Sequence, residues 1–124
     1  MLTATLFALL QSATEPTVTP RLVVNPRDLL IEAIDAPDGT ARGVLTGELA
    51  DAIAQGFRTN APLRIDVTTL KHYRQEGCRR LNMAFSQEDV HLPGETAGQS
   101  RRIDVGIDFC RDGRPPTSPV EKGS

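Results

Sequence analysis

Cys78, Cys110, His72 and His91 are the side chains in this chain best suited to metal, redox or nucleophilic chemistry. A zinc site needs three or four ligands at close spacing, and these residues are too scattered to form a recognised motif. A cysteine nucleophile needs a base beside it, which His72 or His91 could supply only if the cysteines are not joined to each other. The chain has no glycine-rich phosphate loop, no nucleophile elbow and no metalloprotease histidine pair. Asp66, Asp104 and Asp108 could serve as paired carboxylates in acid–base work. Each, however, falls at an outward position of an alternating pattern, with Arg64, Arg80 and Arg102 nearby to pair with. The expectation is a protein that is not an enzyme, with no catalytic residue, no cofactor and no metal.

The cysteines are more informative as a pair. Leu81, Met83 and Phe85 alternate with Arg80, Asn82 and Ala84; Ile103, Val105, Ile107 and Phe109 alternate with Arg102, Asp104, Gly106 and Asp108. Period-two alternation of this kind reads as two strands. If they run antiparallel with Cys78 opposite Cys110, Leu81 meets Ile107, Met83 meets Val105 and Phe85 meets Ile103 on one face. Arg80 then meets Asp108 on the other. A slip of one residue would set apolar side chains against polar ones throughout, so the pattern itself selects the register that juxtaposes the cysteines. Directly opposed Cα atoms lie about 4.5–5.5 Å apart, within reach of a disulfide, which would imply an oxidising compartment. The other reading is two buried free thiols in a cytoplasmic protein. The alternation places both cysteines on the polar face, where a lone buried thiol has less reason to be.

The connection from Gln87 to Ser100 carries a short apolar alternation, with Val90 and Leu92 around His91, before Pro93-Gly94. Long connections are where binding often occurs, so Val90, His91 and Leu92 are candidate partner-binding residues. Thr46-Gly47-Glu48 opens the clearest helix, 47–58, with an apolar stripe at Leu49, Ala52, Ile53, Gly56 and Phe57. Thr46 is placed to cap its first amides, and Gly56 with Asn60-Ala61-Pro62 stops it. Leu63, Ile65, Val67 and Thr69 form a half-buried strand. Arg21 to Val24 reads as a strand. Asp28 to Ile34 reads as either a strand or a short helix after Asn25-Pro26; a hairpin of Leu29 to Ile34 with Ala41 to Leu45 across the Pro37-Asp38-Gly39 turn is preferred. The predicted fold is a small single α+β domain, a mainly antiparallel sheet with one amphipathic helix packed on it.

At 124 residues, with one Tyr, four Phe and no Trp, the chain supports one modest aliphatic core. Its 14 basic and 16 acidic residues give a formal charge of −2, which predicts no capture of nucleic acid or anionic membrane. Leu2 to Leu10 is too short to span a bilayer and resembles the back half of a signal peptide without its basic lead. Residues 1–13 are therefore read as a truncated signal peptide or an N-terminal arm, with export preferred, and 14–20 as a flexible spacer. The domain is expected over 21–112, followed by a proline-rich unpacked tail at 113–124.

The stretches Leu63 to Leu70, Glu76-Gly77-Cys78-Arg79-Arg80-Leu81-Asn82 and Ile103 to Cys110 with Asp112-Gly113-Arg114-Pro115-Pro116 resemble small proteins found with conjugative-transfer and type IV secretion genes in proteobacteria. The resemblance covers roughly the C-terminal half and implies context only, with no functional residue to carry over. In that context the preferred expectation is a non-enzymatic periplasmic accessory or adaptor protein that binds a protein partner through its sheet edge or the Gln87 to Ser100 connection. The alternative is a cytoplasmic regulator or immunity-type inhibitor with free cysteines. Exposed strand edges permit a homodimer, although nothing in the sequence demands one.

Overall fold

Alternation of β-branched and polar residues produces the strands that dominate the molecule. The computed structural model describes residues 21–118 and 120–122; the leader-like segment, the spacer, Pro119 and the last two residues lie outside the described residues. Five strands, β1 (Leu22–Val23), β2 (Ala41–Leu45), β3 (Leu63–His72), β4 (Cys78–Val90) and β5 (Gln99–Cys110), form one sheet in sequence order. All neighbours are antiparallel except β1 and β2. Two helices, α1 (Arg27–Asp35) and α2 (Glu48–Gly56), fill the connections on either side of β2. The fold is a small α+β domain.

The predicted register of the long hairpin is the observed one: Cys78 faces Cys110, Leu81 faces Ile107, Met83 faces Val105 and Phe85 faces Ile103. Cys78 and Cys110 are joined in a disulfide, with Cα atoms 4.0 Å apart. Their backbones do not bond each other: the Cys78 N–H donates to Gln75 O and the Cys110 N–H to Arg114 O, each at 3.2 Å. This is a non-hydrogen-bonded pair, the site in an antiparallel ladder where opposed side chains come closest. At the far end the register shifts between Gln87 and Val90, where Asp89 adopts a φ of 54° and bulges out. Aspartate is one of the few residues that tolerates this left-handed conformation.

Several expectations are corrected. Leu29 to Ile34 is helix α1, not a strand. Leu29, Leu30, Ala33 and Ile34 are buried on one side of it, and the Asn25 side-chain oxygen accepts from Arg27 N–H at 3.0 Å to shape its entry. The helix is the crossover that a parallel β1–β2 pair requires, a connection no hairpin can make. It sits close on the sheet at Gly43, where a Cβ would lie 3.1 Å from both Leu29 methyls.

Helix α2 starts as predicted but presents a different stripe. Ala50, Ile53, Ala54 and Phe57 are half-buried, whereas Leu49 stays 55% exposed. Both sets have helical spacing, so the periodicity alone could not choose between them. Thr46 does not cap the helix; its hydroxyl donates to Val23 O at 3.2 Å, and Gly47, at φ 98°, makes the turn into it.

The disulfide and the tail differ too. Both cysteines are 3% exposed and pack with Tyr73, so the polar face carries a small apolar cluster at this end. The described part of the tail is docked rather than free. Arg74 N–H donates to Val120 O, Lys122 N–H to His72 O, and Tyr73 bridges Glu121. Gln75 Oε1 accepts from Thr117 and Ser118 N–H. The pairing of β2 with β3 ends at Val67, which leaves the last residues of β3 open to these partners.

The disulfide closes a loop of about thirty residues, so replacing both cysteines with alanine should cost about 3–4 kcal/mol of stability. Urea unfolding of the Cys78→Ala/Cys110→Ala chain checks this, and an unchanged midpoint would contradict it.

Candidate functional site

The core face of the sheet is only partly covered. Helix α1 lies over β2, β3 and β4, and Ala50 and Ile53 of α2 pack on the same buried cluster. Neither reaches the middle of β5. Ile103 and Val105 therefore remain 61% and 43% exposed, although they belong to the same apolar row as the buried Leu81 and Met83 of β4.

Between α2 and the start of β5 this leaves a groove of about 350 Å³. Ile53 and Phe57 form one wall, Leu63 and Phe85 also line it, and Leu92 and Ile103 complete its apolar surface. The end of α2 is anchored so that the wall holds its position. Arg58 turns the chain at φ 51°, and buried Thr59 donates its hydroxyl to Glu88 O at 2.9 Å.

Three polar residues, Gln87, Arg101 and Arg102, share this lining. Gln87 and Arg101 are cross-strand partners, and both line the groove. Gln87, 4% exposed, commits its Nε2 to Ala61 O at 3.0 Å. The Nη2 of Arg101 donates to both carboxylate oxygens of Glu95 at 2.9 and 3.1 Å. Buried Gln87 Oε1 and Arg101 Nε are left without a hydrogen-bond partner among the described residues. An unpaired buried donor or acceptor costs about 1–3 kcal/mol.

The predicted partner-binding residues have distinct places here. Val90 is 1% exposed and, with Leu92, lines the groove. His91 builds it: its backbone N–H donates to Phe57 O at 2.9 Å, tying the connection to α2, while its ring meets Asp89 at 3.1 Å. Sequence reasoning missed Ile53, Phe57, Gln87, Arg101 and Ile103 as one site. The available signal was Gln87, a polar residue in the apolar phase of β4.

On the opposite face lies a second cluster of titratable groups. Tyr73 donates its hydroxyl to Asp108 Oδ1 at 2.7 Å, and Arg80 reaches the same oxygen at 3.1 Å. Asp104 is held by Arg102 and Asn82, whereas Asp66 pairs with Arg42 and not with the expected Arg64. The Tyr73 hydroxyl, and then Arg80, hold the Asp108 carboxyl below its ordinary value against the opposing effect of burial. The same hydrogen bond, with burial, raises Tyr73 above its ordinary value. The cysteines, being joined, supply neither thiolate ligands nor a nucleophile.

A depressed Asp108 contributes stability that is present above the unfolded carboxylate value and lost as pH falls through the folded one. A raised Tyr73 contributes stability that is present below about pH 10 and lost as pH rises through its folded value. Tyr73→Phe should therefore lower stability at neutral pH and flatten the loss as pH falls from about 5 through the folded Asp108 value. Parallel urea titrations of both chains across that range measure it. Equal slopes would show that the hydrogen bond does not hold Asp108.

Comparison of the chain with protein-family models, with curated proteins and with solved structures finds no match to any of them.

Proposed function

We propose that this is a non-enzymatic, exported accessory protein that takes an apolar side chain of a protein partner, with the adjoining backbone amide, into the groove between α2 and β5. One observation carries the reading. The groove is apolar in lining, and two of the residues that line it hold a buried polar atom unpartnered among the described residues, the acceptor Gln87 Oε1 and the donor Arg101 Nε. A peptide unit supplies the matching pair, an N–H for the glutamine oxygen and a C=O for the guanidinium nitrogen. An apolar anchor in a pocket with a few placed polar groups is how small interfaces concentrate their affinity.

The Cys78–Cys110 disulfide supports a periplasmic setting, since such bonds persist where the environment is oxidising. The resemblance to proteins found with conjugative-transfer and type IV secretion genes supports a partner within an envelope-spanning machine.

Photo-crosslinking in the native host tests the reading. The substitution Ile103→p-benzoylphenylalanine, at the groove rim, should yield one discrete adduct with a different protein in envelope fractions, separable by mass from any adduct with a second copy of the chain. The same residue at Leu22, 66% exposed at the far side of the sheet, should yield none. Adducts of equal strength at both positions, or at neither, would contradict the groove as the partner site. A single adduct found only with cytoplasmic proteins would replace the exported adaptor with a cytoplasmic regulator.

A further inference from the structure

β5 ends the sheet, and its hydrogen-bonding edge has a definite phase. Because Cys78 and Cys110 form a non-hydrogen-bonded pair, the odd-numbered residues of β5 turn their backbone groups toward β4. Arg102, Asp104, Gly106 and Asp108 turn theirs outward, and no backbone group among the described residues meets them there. The edge runs from Arg101 to Phe109 without a bulge. Natural sheets usually break, shorten, cover or charge an edge of this length, and β5 carries Arg101, Arg102, Asp104 and Asp108.

We infer that the occupant of this edge is β5 of a second copy of the chain, paired antiparallel about a two-fold axis through Val105. Such an axis stands perpendicular to the sheet, so each face continues into the same face of the other copy. Val105 then meets Val105 of the second copy, and Ile103 meets its Ile107, which lengthens the exposed apolar row. On the opposite face Arg102, which already bonds Asp104 of its own strand, comes opposite Asp108 of the second copy, itself held by Tyr73 and Arg80, so that opposite charges face each other twice across the axis. Asp104 meets Gly106, whose lack of a side chain leaves the carboxylate undisturbed.

The outward backbone groups fall opposite one another in this register, Arg102 with Asp108 and Asp104 with Gly106. Other registers are poorer. An axis at Asp104 sets that carboxylate against itself, and one at Gly106 sets Asp104 against Asp108, both repulsive. An axis at Ile103 sets Val105 against Arg101 and Ile107 against Gln99. The charges along β5 thus disfavour most partner strands and complement its own reversed copy. The pairing stands independently of what fills the groove, although it brings Ile107 of the second copy beside Ile103 at the groove rim.

Sedimentation equilibrium on the full chain, with its disulfide intact, should show a dimer. Val105→Cys should form a covalent dimer on mild oxidation, since residue 105 sits on the axis in a non-hydrogen-bonded pair. Leu70→Cys, exposed on β3 away from the edge, should not. Arg102→Glu places a carboxylate opposite Asp108 twice and should weaken the dimer about tenfold without changing the fold. This second variant also decides the matter if the first fails to fold. A chain that sediments as a monomer at every accessible concentration overturns the inference. So does a dimer that crosslinks through position 70 rather than 105, or one indifferent to Arg102→Glu.

Discussion

The fit of β4 against β5 is the constraint from which the rest of the structure follows. One register brings Leu81, Met83 and Phe85 against Ile107, Val105 and Ile103 on one face, and the same register sets Cys78 opposite Cys110 in a non-hydrogen-bonded pair. Side-chain complementarity and covalent geometry therefore act on the same degree of freedom. A slip of one residue would lose both at once. Once that alignment is fixed, the bulge at Asp89 falls where the strands approach the end of α2, and the Gln87–Arg101 pair falls beneath Phe57. The position of the groove is thus a consequence of the ladder.

Helix coverage then decides which part of the sheet is available for function. Four buried side chains of α1 close the core over β2 to β4. Helix α2 holds no fully buried residue and sits toward the end of the sheet, anchored by Thr59 and by the His91–Phe57 backbone bond. What is left is an apolar row on β5 that would be core in a wider domain. Here it borders a groove two of whose lining residues, Gln87 and Arg101, hold an unpartnered buried polar atom. Such a surface is suited to recognising another chain, since it combines area to be desolvated with a small number of directional contacts. The disulfide and the docked tail sit at the opposite end of the hairpin, where they stiffen the sheet without obstructing that surface.

Much of this was legible in the residues. The three long strands, the hairpin register, the disulfide partners and the position of α2 follow from strict period-two and 3.6-residue patterns together with a small number of breakers. The failures have a common physical cause. Leu29 to Ile34 is a short apolar run, and period alone does not separate a buried strand from a buried helix. It became a helix because β1 and β2 pair in parallel, a long-range fact absent from local sequence. The face of α2 was ambiguous because two stripes share helical spacing. Composition also marked the tail as unpacked, since its few backbone bonds depend on the open end of β3. The groove was only half visible: Val90 and Leu92 stood out by alternation, whereas Ile53, Phe57, Arg101 and Ile103 meet them only through tertiary packing.

The account depends most on the Cys78–Cys110 bond being present in the protein's own setting. The most direct measurement is the intact mass of chain purified from its native host under thiol-blocking conditions. The account predicts that neither cysteine carries the blocking group. A chain with both cysteines labelled would leave the register standing as a matter of side-chain pairing but would contradict the oxidised hairpin, and with it the exported setting on which the functional reading rests.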